Sequence, residues 1–189
     1  MAESSFPWFA IRVKSQCEKM VSGALRYKGY EEFLPLYSSR RCWSDRTKVL
    51  QLPVFAGYLF CQFEMSHRTD ILKTPGVCNI VGQGSLPHPV DPNELDNIRV
   101  SLRSGRRIEP WKGMGIGDRV RIDRGPLRGI EGQLLRLKGT THLILGIELL
   151  QRSVAVEIDE AWVSAGQEIL LPTILSSKEL GPNSGISIP

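Results

Sequence analysis

Bond-making chemistry finds no foothold in this chain. His67, His88 and His142 are dispersed, and none belongs to a nucleophile–acid constellation. Cys17, Cys42, Cys61 and Cys78 include no C-x-x-C pair, so neither a zinc site nor any other cofactor is expected. No phosphate-binding G-x-x-x-x-G-K-[ST] run and no H-E-x-x-H occurs. The groups that can act are cations and aromatics. Arg40, Arg41, Arg46 and Lys48 surround Trp43, a set able to neutralise phosphates and stack on a base. A strand pair kept soluble by its charges would carry the same residues. Lys14, Arg26 and Lys28 lie at or near the first helix, away from its apolar stripe. They suit phosphate contact without sequence readout, or a solvated helix face, and only Tyr27 offers a base-stacking surface there.

The elements that must position these groups are legible from periodicity. Trp8–Val13 reads as a strand. Ser15 and Glu18 form the S-x-x-E pattern of a capping box, and Cys17, Met20, Val21, Ala24 and Leu25 give the following helix an apolar face. A strand is expected over Glu31–Leu36, then a long charged hairpin or loop over Ser38–Leu50. The third strand, Val54–Phe63, is the most hydrophobic stretch. A helical turn near Arg68–Lys73, a short strand at Cys78–Val81 and an Asp91-capped helix ending at Gly105 complete an α+β unit, an antiparallel sheet flanked by helices.

Beyond it, Ser104–Gly115 reads as a linker. The stretch GDRVRIDRGPLRGIEG, Gly117–Gly132, then alternates apolar and charged residues, turns at Gly125-Pro126, and carries Gly129 and Gly132 into the next strand. Further strands are expected at Gln133–Leu137, Leu143–Leu150 and Val154–Ile158, with Ala161–Val163 closing a ring. Gly139, Gly146 and Thr140-Thr141 argue against a stable helical alternative for the leucine-rich part, so a constitutive barrel is expected. The expected boundaries are residues 1–103 for the α+β unit, 104–115 for the linker, 116–165 for a small β-barrel and 166–189 for a tail.

The net charge of +4 lies wholly before Trp111, where 15 Lys and Arg face 11 Asp and Glu; after it, 9 face 9. This permits nucleic-acid contact without demanding it. No signal peptide or apolar run of membrane-spanning length is visible, so a cytoplasmic monomer with no membrane contact is expected.

Several stretches in order resemble the NusG family of transcription elongation factors. Trp8-Phe9 with its strand and helix resembles the family's opening. Leu52 through Phe60 resembles its central F-P-G-Y strand, and Thr74-Pro75-Gly76-Val77 with Gly82 resembles the loop and strand beyond. Gly125, Pro126, Gly129 and Gly132 resemble the KOW motif that opens an SH3-like barrel. Ala56 stands where the family has proline, which suggests a specialised paralog of the UpxY, LoaP or RfaH kind.

The resemblance implies an NGN-like domain followed by a KOW barrel, no enzymatic activity, and an elongation or antitermination role that suppresses pausing. It implies docking on the β′ clamp helices of bacterial RNA polymerase through an apolar patch at Phe9, Phe55, Tyr58 and Phe60. It places His67, Arg68 and Thr69 toward the β subunit across the cleft. It turns Lys14, Arg26 and Lys28 toward upstream DNA or nascent RNA, and gives the KOW unit ribosomal protein S10 or Rho as a partner. Ile147 and Leu149 are candidate edge residues for that second partner. A KOW-type RNA-binding or ribosome-associated protein acting without polymerase is the alternative; it predicts a strongly basic barrel, whereas this one is neutral.

Overall fold

The computed structural model describes residues 6–42, 47–83, 86–111, 118–137 and 139–163. The N-terminal part runs β1 (Trp8–Val13), α1 (Glu18–Tyr27), β2 (Glu31–Phe33), β3 (Leu36–Cys42), β4 (Thr47–Pro53), β5 (Tyr58–Gln62), α2 (Arg68–Leu72) and β6 (Val77–Ile80). A minimal pair, β7 (Gly82–Gln83) and β8 (Leu86–Pro87), leads into α3 (Pro92–Arg103). The C-terminal part contains β9 (Ile108–Trp111), β10 (Arg119–Arg121), β11 (Glu131–Leu137), β12 (Thr140–Ile147) and β13 (Arg152–Ile158). None of the described helices is long and apolar enough to cross a membrane.

The first sheet has strand order β2-β5-β1-β6, all antiparallel, with Ala10 opposite Phe60 and Phe9 opposite Cys61. Alternation divides its side chains between two faces. Phe9, Ile11, Val13, Leu59, Cys61 and Phe63 pack with Val21 and Leu25 of α1 and Ile71 of α2. Trp8, Ala10 and Phe60 pack on the opposite side with Leu95 and Ile98 of α3. Asp91 caps α3 as expected, accepting from the Asn93 N–H at 2.9 Å.

The capping box before α1 does not form. Cys17 is the capping residue and no side chain bonds back to the helix start. Glu18 is buried, and its Oε1 instead accepts the Gly57 N–H at 2.8 Å. A tertiary acceptor has taken the carboxylate that the local motif would use. The charged stretch after β2 is a hairpin, β3 paired with β4 from Leu36–Pro53 to Cys42–Thr47.

The expected closed barrel is corrected. The C-terminal unit is a five-stranded antiparallel sheet of order β10-β11-β12-β13-β9, and among the described residues its edge strands β10 and β9 do not pair with each other. The reason lies in two places. Ala161–Val163, expected to close the ring, lies in and just after a tight turn and contributes one bridge, Val163 to Ile122. Ile108–Trp111, expected within the linker, is extended and occupies the free edge of β13. The Gly125 turn packs beneath Trp162, with φ +77, a conformation that suits glycine. At Gly132 the neighbouring strand passes so near that a Cβ would meet the Ile144 carbonyl oxygen at 2.7 Å. The expected tail at 166–189 lies outside the described residues.

Candidate polymerase and nucleic acid contact surface

The loop Val54–Gly57 joins the basic hairpin to β5 and is fixed from below. Val13 N–H donates to the Gly57 carbonyl at 2.9 Å, and Glu18 holds the Gly57 N–H. Phe55 tucks inward, buried, its ring edge-on to Phe60 with centroids 5.9 Å apart. Tyr58 is half-buried beside it. The patch named from the sequence is therefore split: Phe55, Tyr58 and Phe60 share one face, while Phe9 lies on the other, 4.7 Å from Phe63. The pleat explains this, because Phe9 alternates with Trp8 and Ala10.

The second apolar face of β5 does have a cover. It is partly α3 and partly the C-terminal sheet: α3 contacts β12, and one apolar core runs from Trp8, Phe55 and Phe60 through Leu95 and Ile98 to Leu143, Leu145, Ile147 and Val154. Arg152 on β13 reaches the loop itself. Its Nη1 donates to the Ala56 carbonyl at 3.1 Å, and its guanidinium lies 4.9 Å from the Tyr58 ring centre. Opposite, Glu94 of α3 accepts the Glu148 N–H at 3.0 Å, and burial pushes its carboxyl above the usual range. A cleft of about 750 Å³ remains beside the loop, lined by Glu18, Val54, Ala56, Trp111 and Arg152 among others. Ile147, named as an exposed edge residue, is buried in the shared core; Leu149 is half-buried. No local pattern marks Arg152, since its role exists only once the two sheets meet.

The remaining candidates are dispersed. His67 and Thr69 are exposed on and before α2, whereas Arg68 is half-buried with its Nε shut off from solvent. Around the first helix, Lys28 is committed elsewhere. Its Nζ donates to the Asp70 carboxylate at 2.8 Å, the Asp70 carbonyl at 2.9 Å and Thr74 Oγ1 at 3.0 Å. Arg26 pairs with Glu32. Lys14 is exposed, and Tyr27 is 94% exposed at the end of α1. On the hairpin, Arg40 and Lys48 are exposed; Arg41 lies on β3, while Trp43 and Arg46 fall outside the described residues. Among the described residues no group of three or more His, Cys, Asp or Glu is placed to hold a metal.

Comparison with known proteins bears on this geometry. The family described as "Transcription termination factor nusG" matches residues 6–99. The chain is 25% identical over 178 residues to the transcription termination/antitermination protein NusG of Thermus thermophilus, covering 82% of this chain and 96% of that one. It is 24% identical over 157 residues to the NusG of Halalkalibacterium halodurans, covering 78% and 87%. Among solved structures, one described as "Domain interaction in Thermotoga maritima NusG" is similar at TM-score 0.54 and 17% identity, covering 86% of this chain and 97% of that one.

Proposed function

Because this chain belongs to the NusG family of non-catalytic transcription factors, we propose that it binds RNA polymerase at the β′ clamp helices and suppresses pausing or termination. The observation that carries the reading is the Phe55–Tyr58 loop. It is an aromatic corner braced by a buried carboxylate, at the place where the family motif lies. Aromatic side chains suit such an anchor because they bury much area at little entropic cost. The corner is covered by the C-terminal sheet, so docking requires that sheet to leave first. His67 and Thr69 then face the β subunit, and Lys14 with the basic hairpin faces upstream DNA or nascent RNA. The freed C-terminal unit recruits a second partner, ribosomal protein S10 or Rho. The domain boundaries proposed from the sequence, residues 1–103 and 116–165, are extended to take β9 (Ile108–Trp111) into the C-terminal unit. A specialised, operon-restricted factor is the finer reading, resting on Ala56 where the family has proline.

The test is binding to purified bacterial core polymerase, with wild type beside Tyr58→Ala and Phe55→Ala. Saturable binding that weakens at least about tenfold in Tyr58→Ala supports clamp docking. Tyr58→Ala is the cleaner variant, since Phe55 is 1% exposed and also serves the fold. Tyr58→Ala also removes the ring under Arg152, so it is read in the Arg152→Ala background, where a folded Tyr58→Ala protein that binds as tightly as Arg152→Ala alone overturns the reading.

A further inference from the structure

A second groove, about 700 Å³, lies between the hairpin and the chain entering β9. One wall is β3, with Tyr37, Ser39 and Arg40; the other carries Arg106, Arg107 and Glu109. We infer that this groove binds the backbone of single-stranded nucleic acid, with Arg106 and Arg107 completing a track that begins on the hairpin. The inference rests on the nucleic-acid reading of that hairpin and adds residues no local pattern joined to it.

Three observations carry it. Arg40 and Arg106 have no carboxylate partner among the described residues, and Arg107 shares only an exposed pair with Glu109 at 3.2 Å. Three guanidinium groups thus line one groove against one carboxylate. Arg106 is also oriented in advance, its guanidinium 4.2 Å from the Trp162 ring centre. A stacked guanidinium keeps its in-plane N–H donors open to phosphate oxygens. At about 700 Å³ the groove is too roomy for one bare phosphate, and Tyr37, half-buried and packed against the shared core, contributes an aromatic group to its wall.

The experiment is fluorescence anisotropy of the full chain with a single-stranded RNA or DNA 12-mer, about a dozen nucleotides being a typical single-strand site, over a salt series. Arg107→Glu and Arg106→Glu/Arg107→Glu are compared with Arg40→Glu/Lys48→Glu and with Arg128→Glu, an exposed arginine that does not line the groove. The expected result is at least about a tenfold loss for the Arg106/Arg107 variant, with a salt slope shallower by about 1.4, since each of the two single-strand phosphate contacts contributes about 0.7. Arg107→Glu alone, which leaves the Trp162 stack in place, should fall in the same direction. If binding is lost on the hairpin variant but unchanged in both Arg106/Arg107 variants, the groove is overturned and the hairpin reading stands. If neither set matters, both fall. Losses equal to that of Arg128→Glu mean general charge and overturn the groove as well. Polymerase binding, measured in parallel, should be retained in Arg107→Glu, which separates this inference from clamp docking.

Discussion

The guanidinium of Arg152 lies 4.9 Å from the centre of the Tyr58 ring, bringing the C-terminal sheet onto the loop where the family's polymerase contact is expected. The same side chain donates to the Ala56 carbonyl. One residue therefore ties the two sheets at the point where the proposed docking would part them.

Arg152→Ala should loosen that tie. An exposed cation–π contact and one charge-assisted hydrogen bond together contribute about 1–2 kcal/mol. If the covered form dominates, releasing that much tightens polymerase binding about five- to thirtyfold. Titration of core polymerase with both proteins checks it. Weaker binding by Arg152→Ala would mean that Arg152 itself touches the polymerase.

Glu18→Ala leaves the part-buried Gly57 N–H without its acceptor, which costs about 1–3 kcal/mol. Its urea midpoint should fall, whereas Glu18→Gln, which keeps an acceptor oxygen, should recover most of the loss. Equal midpoints for Glu18→Ala and wild type would show that the loop holds without the carboxylate.

Two glycines should respond with opposite signs. Gly125→Ala places a Cβ 2.6 Å from the Trp162 ring at positive φ, so about 1–3 kcal/mol of stability should be lost. Gly23 lies within α1 with no heavy atom within 4 Å of an added Cβ, so Gly23→Ala should gain about 0.5–1 kcal/mol. Thermal unfolding of the two proteins reads both signs.

Tyr30 reports on the α1–α2 joint. Burial, then its hydrogen bond to Asp70, raises its phenol to about 12, from an ordinary value near 10. The sign follows from linkage: the neutral phenol is favoured in the fold, so this stabilisation is present below about pH 10 and is lost between 10 and 12. Asp70 behaves oppositely. Lys28 and Tyr30 lower its pKa, so its contribution is lost as pH falls through that lowered value. Absorbance titration at the tyrosinate band should show one tyrosine ionising near pH 12, and Tyr30→Phe should remove that component.

Local signals carried much of the first sheet. The apolar run Trp8–Val13 read as a strand and is β1 with those bounds, and Asp91-Pro92 marked the start of α3. What failed were residues whose partners lie far along the chain. Ser15 and Glu18 have capping-box spacing, yet Glu18 bonds to Gly57, 39 residues away. Lys28 reads as an open helix cation, yet it is held by Asp70, 42 residues away. Ile108–Trp111 sits among arginines and glycines and is extended because β13 offers it an edge. Of the candidate site, the aromatic loop was legible; its cover was not, because nothing near Phe55 in sequence encodes Arg152.

The pairing of Ile108–Trp111 with β13 also sets how far the two halves can part. α3 ends at Arg103 and β9 begins at Ile108, so while β9 stays zipped the leash is residues 104–107. Fully stretched, that span is only about 13 Å. A C-terminal sheet let go by its neighbour therefore remains within about one domain's width, at an effective concentration on the order of millimolar. Recapture is then an intramolecular race that any second partner must outpace. Unzipping β9 would lengthen the leash and slow the return, making four extended residues a timer on how long the aromatic corner stays bare.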